Sequence, residues 1–558
     1  MSGRGLVVGA ALGDCVHVAG LLHFLRLAEE EGYETRFLGS AQPVAAVAEA
    51  LSRLQPDLLG LSYRLSPEAA RPLFEELGRA VSGRGLGRIR LVFGGTGPVC
   101  EAAEKSGLFA AVFSSASTPE DIRAFLRGAA KGDNGPAAGI HPATLVERIE
   151  AARPYPIYRH HFGQPTLAAT IEGCALLAES GVIDVISIGP DQNTQERFFH
   201  PDEIDESQSG AGGVPLRTAD DFRVLWSASR RGNHPLMRCY SGTRDILRMA
   251  RMLRETINNA WCAVPLFWYN VLDGRSDRAL RDSIRENMNV VAWHAEQGVP
   301  VEVNEAHHWS LREAPDAVAV ATAFLAAYNA KVRGVRHYVS QYMFNTPAGT
   351  WHDMDLGKML AKIELIEALH DEGFTTYREA RAGLASFPAD LLQAKGHLAG
   401  SAYLQMALAP HIMHVVGYSE ADHAARPDEI IESVRICRGV AVAVARGGMP
   451  DMRAAAAVRE RKEELVAEAR VLLRGVQELG GPGVDDPWAD PETLARSVET
   501  GLLDAPHLIG NPAACGRVRT QITKGRCVAI DPGTGRPISE RERVARVLDR
   551  QARAGTGR

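Results

Sequence analysis

Residues 13–24 read Gly-Asp-Cys-Val-His-Val-Ala-Gly-Leu-Leu-His-Phe. They follow a short apolar run, Leu6 to Leu12, and open an amphipathic pattern that continues to about Glu31. A strand that turns directly into a helix is the first half of a βα unit. His17 therefore sits at the carboxyl edge of the first strand, where open parallel sheets bind their ligands. Taken alone, the stretch is equally compatible with a histidine in an ordinary loop-to-helix turn.

Working outward, residues 1–130 alternate apolar runs with helical patterns. Strands are expected at Leu6–Leu12, Thr35–Leu38, Leu58–Ser62, Ile89–Phe93 and Ala110–Phe113. Five strands alternating with five helices on short connections predict a doubly wound, flavodoxin-like parallel sheet. Loops after the first, third and fourth strands should converge on one edge. They hold His17, Ser62 and the pair Gly94-Gly95.

These residues resemble the cobalamin-binding domain. Its signature at the first turn is Asp-x-His-x-x-Gly, with a serine after the third strand and a glycine pair after the fourth. His17 and Gly20 fit that spacing, as do Ser62, Gly94 and Gly95. The resemblance implies that His17 ligates cobalt from below and that Ser115 and Ser117 lie near the buried base. One departure stands out: Cys15 occupies the aspartate position and Asp14 lies one residue early. A carboxylate on the second imidazole nitrogen would fix the tautomer and raise ligand basicity, which a thiol does poorly. Either Asp14 substitutes through a shifted backbone, or the histidine is a weaker ligand.

Residues 131–141 are Gly/Pro-rich and read as a linker. From 142 to 475, strand candidates recur at Val182–Ile188, Pro235–Tyr240, Cys262–Trp268, Val299–Val303, Val335–Tyr342 and Ile412–Val416, separated by long helical patterns. That repetition predicts a (β/α)8 TIM barrel, with its chemistry on loops at the carboxyl ends of the strands. Residues 476–558 show no barrel period and form a C-terminal extension. His307-His308 is not expected to be a metal site, because adjacent residues on one element do not face the same ion. Exposed loop histidines, or one hydrogen-bonding a substrate, are expected instead.

Composition narrows the class. The chain has 558 residues, a net charge of −6, 45% hydrophobic residues and 23% charged. Nothing there calls for a nucleic acid or anionic membrane partner. Eight scattered cysteines without a C-x-x-C pair argue against structural zinc, an iron–sulfur cluster or a disulfide framework. The amino-terminal apolar run is interrupted too early for a signal peptide, and the later apolar stretches Ala317–Tyr328 and Tyr403–Tyr418 do not make membrane spans. A cytoplasmic protein is expected.

The two halves together resemble glutamate mutase (methylaspartate mutase), with its small cobalamin subunit fused ahead of its barrel subunit. The carrying segments run in order: ATIEGCALLAESGVIDVISIGPDQNTQERF, HPLMRCYSGTRD, FWYNV and SVETGLLDAPHLIGNPAACGRVR. The resemblance implies an adenosylcobalamin-dependent carbon-skeleton mutase acting on a small carboxylate or amino-acid substrate, assembled as a homodimer. By position Arg197 and Arg238 match two of the family's three substrate arginines and Arg159 offers a third. Tyr269 falls on its substrate-contacting tyrosine, with Asn304 nearby, and Glu420 on a glutamate near the adenosyl ribose. Guanidinium forks suit carboxylates because they bind them bidentately. Two departures concern chemistry. Gly417 stands where a lysine is expected shortly before Glu420, and Ala263 stands where the catalytic glutamate is expected. Glu305, after the next strand, is the candidate replacement, and L-glutamate itself is expected to be a poor substrate. A corrinoid methyltransferase is the second reading, disfavoured because a strand at Leu6 leaves no room for a helical cap before it. A pyridoxal-assisted aminomutase lacks a marked Schiff-base lysine, and a non-catalytic cobalamin sensor is the third reading.

Overall fold

The computed structural model describes residues 4–114, 116–128 and 141–556, and divides into two compact units, 1–139 and 140–558. Ser115 and positions 131–140 of the expected linker lie outside the described residues.

In the first unit, strands β1 (Leu6–Leu12), β2 (Glu34–Gln42), β3 (Leu58–Tyr63), β4 (Arg90–Gly95) and β5 (Ala111–Phe113) form one sheet in the order β2-β1-β3-β4-β5. All pairings are parallel. The chain reverses its order between β1 and β3, so the loops after these two strands open onto one crevice. Burial follows sheet position. β3 is buried throughout and β1 nearly so, whereas edge strand β2 has no fully buried residue. Central parallel strands covered on both faces read as continuous apolar runs, which is why they were legible in sequence.

In the second unit, eight parallel strands run β6 (Ile157–Phe162), β7 (Val185–Ile188), β8 (Leu236–Cys239), β9 (Cys262–Val264), β10 (Val301–Val303), β11 (His337–Phe344), β12 (Thr375–Ala382) and β13 (Ile412–His414). Seven neighbouring pairs are in register, from β8 through β6 and β13 round to β9. The seam between β8 and β9 is bridged by Ala260 N–H to Met237 O (2.9 Å) and Cys239 N–H to Asn259 Oδ1 (2.9 Å). The result is the expected barrel, nearly closed. Two of its strands, β6 and β12, were not among the sequence candidates. Both carry charged or imidazole side chains on the inward face, Arg159 and His161 on β6 and Glu379 and Arg381 on β12. Apolar alternation therefore fails there.

Outside the strands, the alanine-rich helix Asp316–Lys331 is buried on almost every face. Helices His352–Glu367 and Ala456–Leu479 pack against it. Beyond position 475 the chain continues this packing: Leu494, Val498, Leu502 and Val544 share one hydrophobic core with the barrel helices. Among the described residues no helix is long and apolar enough to cross a membrane.

Candidate functional site: a cobalamin loop and a charged barrel interior

In the first unit, Gly13 takes φ +54° to turn the chain off β1, a conformation open to glycine without strain. Cys15 is then held at both backbone ends, its N–H on Leu12 O and its carbonyl accepting from Ala41 N–H. Its buried thiol lies 4.0 Å from His17 Nδ1. The structure thus places the Cys15 thiol, not the Asp14 carboxylate, against the histidine's inner nitrogen. Ser62 Oγ donates to the His17 carbonyl (3.3 Å), tying the loop after β1 to the end of β3. The imidazole itself stands exposed, and no described group hydrogen-bonds its Nε2. Around it Asp14, Ala19 and Gly20 are exposed, and Val16 is 62% exposed. A side chain at Gly20 would meet nothing within 4 Å, and at Gly94 only Phe113 O at 3.8 Å, so this edge is open. Gly95 differs: a Cβ there would lie 2.7 Å from Tyr63 O, so that glycine serves strand packing. Ser117 Oγ accepts from Ser114 N–H (3.1 Å), closing the loop after β5. A free imidazole nitrogen over an open glycine-bearing edge is a donor set that fits the lower face of cobalamin.

The barrel interior is built in layers by the two-residue alternation of its strands. The floor is apolar: Ile157, Val185, Leu236, Val339, Tyr377 and Ile412, sealed by Trp261 and by Leu145 and Ile149 of the helix Leu145–Ala152. Two residues further along the same strands come Arg159, Ser187, Arg238, Gln341, Glu379 and His414. Such barrels ordinarily fill this layer with branched apolar side chains; here it is ionic. Arg159 grips Glu379 bidentately, Nε to Oε2 (3.1 Å) and Nη2 to Oε1 (2.6 Å), and gives Nη1 to Ser187 Oγ (3.0 Å). Arg238 Nη2 donates to Glu302 Oε2 (2.7 Å), which also accepts from Trp261 Nε1 (2.8 Å). Gln341 Nε2 links the pairs, donating to Glu302 Oε1 (3.0 Å) and Glu379 Oε1 (2.9 Å). Burial pushes the Glu302 carboxyl up despite Arg238. At Glu379 burial is outweighed by Arg159, and its carboxyl is held down.

One layer higher, at the carboxyl mouth, stand His161, Tyr240 and Arg381. Tyr240 Oη and His161 Nε2 are 3.2 Å apart, and the His161 ring stacks on His414 at 4.8 Å. Burial, followed by the surrounding positive groups, drives His161, His307, His308 and His414 far below the ordinary histidine range. All four are neutral at physiological pH, each with one donor and one acceptor nitrogen. His307 and His308 do not stand in an exposed loop, one of the two expectations, but lie buried in the short helix Ala306–Leu311.

Tyr269 reaches the same mouth, its ring 6.5 Å from Tyr240 and 5.5 Å from His308, with the Arg275 guanidinium 4.5 Å above it. Its backbone sits at φ +67°, strained for an aromatic residue. The strain is held by Ser276 Oγ (2.9 Å) and Arg278 Nη2 (2.8 Å), both donating to its carbonyl. Glu420 accepts from Gly417 N–H (2.5 Å) and pairs with His160 Nε2 (2.8 Å). A Cβ at position 417 would fall 3.1 Å from that His160 nitrogen and 3.2 Å from the Glu420 oxygen. The glycine therefore makes room for the close His160–Glu420 contact where a lysine was expected.

The remaining expected residues separate. Asn304 follows β10, with a buried Oδ1 that has no hydrogen-bond partner among the described residues. Arg197 ends the helix Gln192–Arg197, bonds Asn193 Oδ1 (3.4 Å) and lies beside Glu203 and Asp205. Glu305 is buried with both oxygens engaged: Leu266 N–H (2.8 Å) and Phe267 N–H (3.1 Å) on Oε2, and Trp309 Nε1 (2.7 Å) on Oε1. Its carboxylate fixes the loop that leads to Tyr269, and burial raises it to about 7. The inward carboxylate nearest the Ala263 position is Glu302, its direct partner in the β9–β10 register. Sequence reading passed over Glu302, Glu379 and Arg381. The available signal was Glu302 set between Val301 and Val303, and Glu379 and Arg381 alternating with Ala380 and Ala382.

Residues 5–123 match the family model described as the B12 binding domain. No curated protein matches the chain. Among solved structures, a novel cobalamin-binding protein from Desulfitobacterium hafniense DCB-2 is 22% identical, with 22% of this chain and 58% of that chain covered and a TM-score of 0.20. The chain thus spans a little over half the length of that protein. The apo cobalamin-dependent S-adenosylmethionine radical enzyme OxsB is 11% identical, with 86% and 69% covered and a TM-score of 0.18. The matched model and the strand order define the first unit as a Rossmann-like B12-binding domain. The protein joins that domain to a parallel barrel with an ionic interior.

Proposed function

We propose that this protein is an adenosylcobalamin-dependent carbon-skeleton mutase of the glutamate mutase type, acting on a small carboxylate-bearing substrate and working as a homodimer. The observation that carries the reading is the barrel's charge. Inside it Arg159 pairs with Glu379 and Arg238 with Glu302, while Arg381 feels Glu379 and Glu420 without an ion pair to either. Arg381 is thus the inward cation left without an ion-pair partner among the described residues. Because the neighbouring imidazoles are neutral, an incoming carboxylate balances the site. Arg238 Nε and Nη1, His308 Nε2 and Asn304 Oδ1 are buried without hydrogen-bond partners among the described residues, and a polar substrate would satisfy them.

Adenosylcobalamin, when bound, would supply the radical chemistry that the side chains themselves lack. In this reading His17 would hold the cobalt, its loop fixed by Ser62 and its Nδ1 beside Cys15. Gly20, Gly94 and Ser117 line the open edge. Within the barrel, Arg238 and Arg381 hold carboxylate oxygens, and Arg159 acts through Glu379 to keep the layer in place. Tyr240 and Tyr269 shut the mouth against water. Glu302, held by Arg238 and Trp261, supplies the internal carboxylate that Ala263 does not.

The test is anaerobic incubation of the full chain with adenosylcobalamin and a panel of small mono- and dicarboxylic and amino acids, followed by NMR. An isomerised carbon skeleton from one of them is expected, with L-glutamate poor. Methyl transfer without isomerisation would replace the reading with a corrinoid methyltransferase, and cofactor binding without turnover of any panel member would leave a sensor. Sedimentation equilibrium should find a species of twice the 60.3 kDa chain mass; a monomer at micromolar concentration would remove the homodimer.

A further inference from the structure

The structure assigns Arg381 as the residue that grips the substrate carboxylate, in the place that the family resemblance gave to Arg159; this rests on reading the barrel as a carboxylate site. Arg159 cannot easily serve. Its guanidinium is 1% exposed, its Nε and Nη2 are committed to Glu379, and its Nη1 is committed to Ser187. Taking a substrate carboxylate there would mean breaking a buried bidentate pair and leaving Glu379 uncompensated.

Arg381 lies on the same strand as Glu379, two residues nearer the mouth, and so on the same inward face. Among the described residues only its Nε is used, on the neighbouring Ala382 carbonyl (3.2 Å). No carboxylate among the described residues comes within ion-pair distance of it. Its charge is felt by His161, His307, His308 and His414 together, and by Tyr240 and Glu420, so it stands at the centre of the mouth. The two terminal nitrogens of a guanidinium are the fork that takes a carboxylate bidentately. Neutral imidazoles around that fork add donors without adding a competing charge. A second, deeper contact is available at the unpartnered Arg238 Nε and Nη1. Tyr240 lies beside both arginines, its ring 5.0 Å from the Arg238 guanidinium. Two cationic forks at different depths favour a dicarboxylate over a monocarboxylate.

The probe is succinate, titrated calorimetrically into the full chain without cofactor, with succinamide as its uncharged counterpart and propionate as the monocarboxylate. Wild type should bind succinate more tightly than either. Arg381→Ala should lose roughly 10- to 100-fold in succinate affinity and no longer distinguish succinate from succinamide. Arg381→Lys, keeping charge without the fork, should recover part of the loss. A readout on the unmutated chain guards against a folding defect: phenylglyoxal modification of Arg381, mapped by mass spectrometry, should be suppressed by succinate. Unchanged succinate affinity in Arg381→Ala, or modification of Arg381 indifferent to saturating succinate, overturns the assignment while the carboxylate reading stands. If wild type binds neither dicarboxylate nor monocarboxylate, both fall together.

Discussion

At Glu305 the chemistry of one carboxyl can be followed through to a measurable pH dependence. Burial raises it to about 7 from an ordinary 4.5. Between these values the unfolded chain is ionised at this position while the folded chain keeps its proton. The folded state therefore binds more protons, and stability falls as pH rises through that window. The full loss is on the order of 3 kcal/mol, complete above pH 7. Urea unfolding of wild type and Glu305→Gln at pH 5, 6 and 7.5 should show the difference between them shifting against wild type as pH rises. A difference independent of pH would mean that the carboxyl is not raised. His17 offers a second residue-scale test. Cob(II)alamin bound to protein carrying 15N-histidine should show imidazole hyperfine splitting in its electron paramagnetic resonance spectrum. Splitting that survives His17→Ala would reassign the ligand. Replacing Cys15 by aspartate restores a charge-assisted contact at Nδ1, and should strengthen the histidine as a ligand.

At the scale of elements, the pairing of β6 with β12 across the barrel interior dominates. Arg159 and Glu379 are both buried and bonded twice to each other. Glu379→Leu alone leaves a buried guanidinium without its partner and should cost about 3–5 kcal/mol. The pair Arg159→Met with Glu379→Leu should cost clearly less than the two single changes added. Additive losses in denaturant unfolding would show that the two side chains are not coupled. The same interaction explains why these strands escaped detection. Apolar alternation marks a strand whose inward face is greasy, and here the inward residues are Arg159, His161, Glu379 and Arg381. By contrast β7 and β8 each keep buried apolar residues on one face throughout, and both were legible.

On the scale of the whole molecule, the two units have separate hydrophobic cores, those of the first drawn only from residues 6–126 and those of the second from 145 onward. Scanning calorimetry should resolve two transitions. Cobalamin should raise the one belonging to the B12-binding domain, by an amount that grows with the logarithm of its concentration. A single transition shifted as a whole would show the units to be energetically coupled. All eight cysteines are free and seven are buried, so reductant should leave both transitions in place, and thiol reagents should react fully only after denaturation.

What the sequence determined by itself is local in origin. The strand-to-helix turn at Gly13, the His17-x-x-Gly20 spacing, the position of Ser62 and the Gly94-Gly95 pair are all read within a few residues. The sheet order needed only short connections between apolar strands, and the barrel only its repeat length. Tertiary structure alone decided which groups meet. Arg159 and Glu379 are 220 positions apart, and Arg238 and Glu302 are 64, so no local pattern marks either arginine as already paired. The same holds for Glu305, which looked like a spare carboxylate until the loop at Leu266 and Phe267 folded onto it. The cause is geometric: closing eight strands into a barrel brings side chains from distant segments into one low-dielectric layer. There each charge is defined by the partner opposite it rather than by its neighbours in sequence.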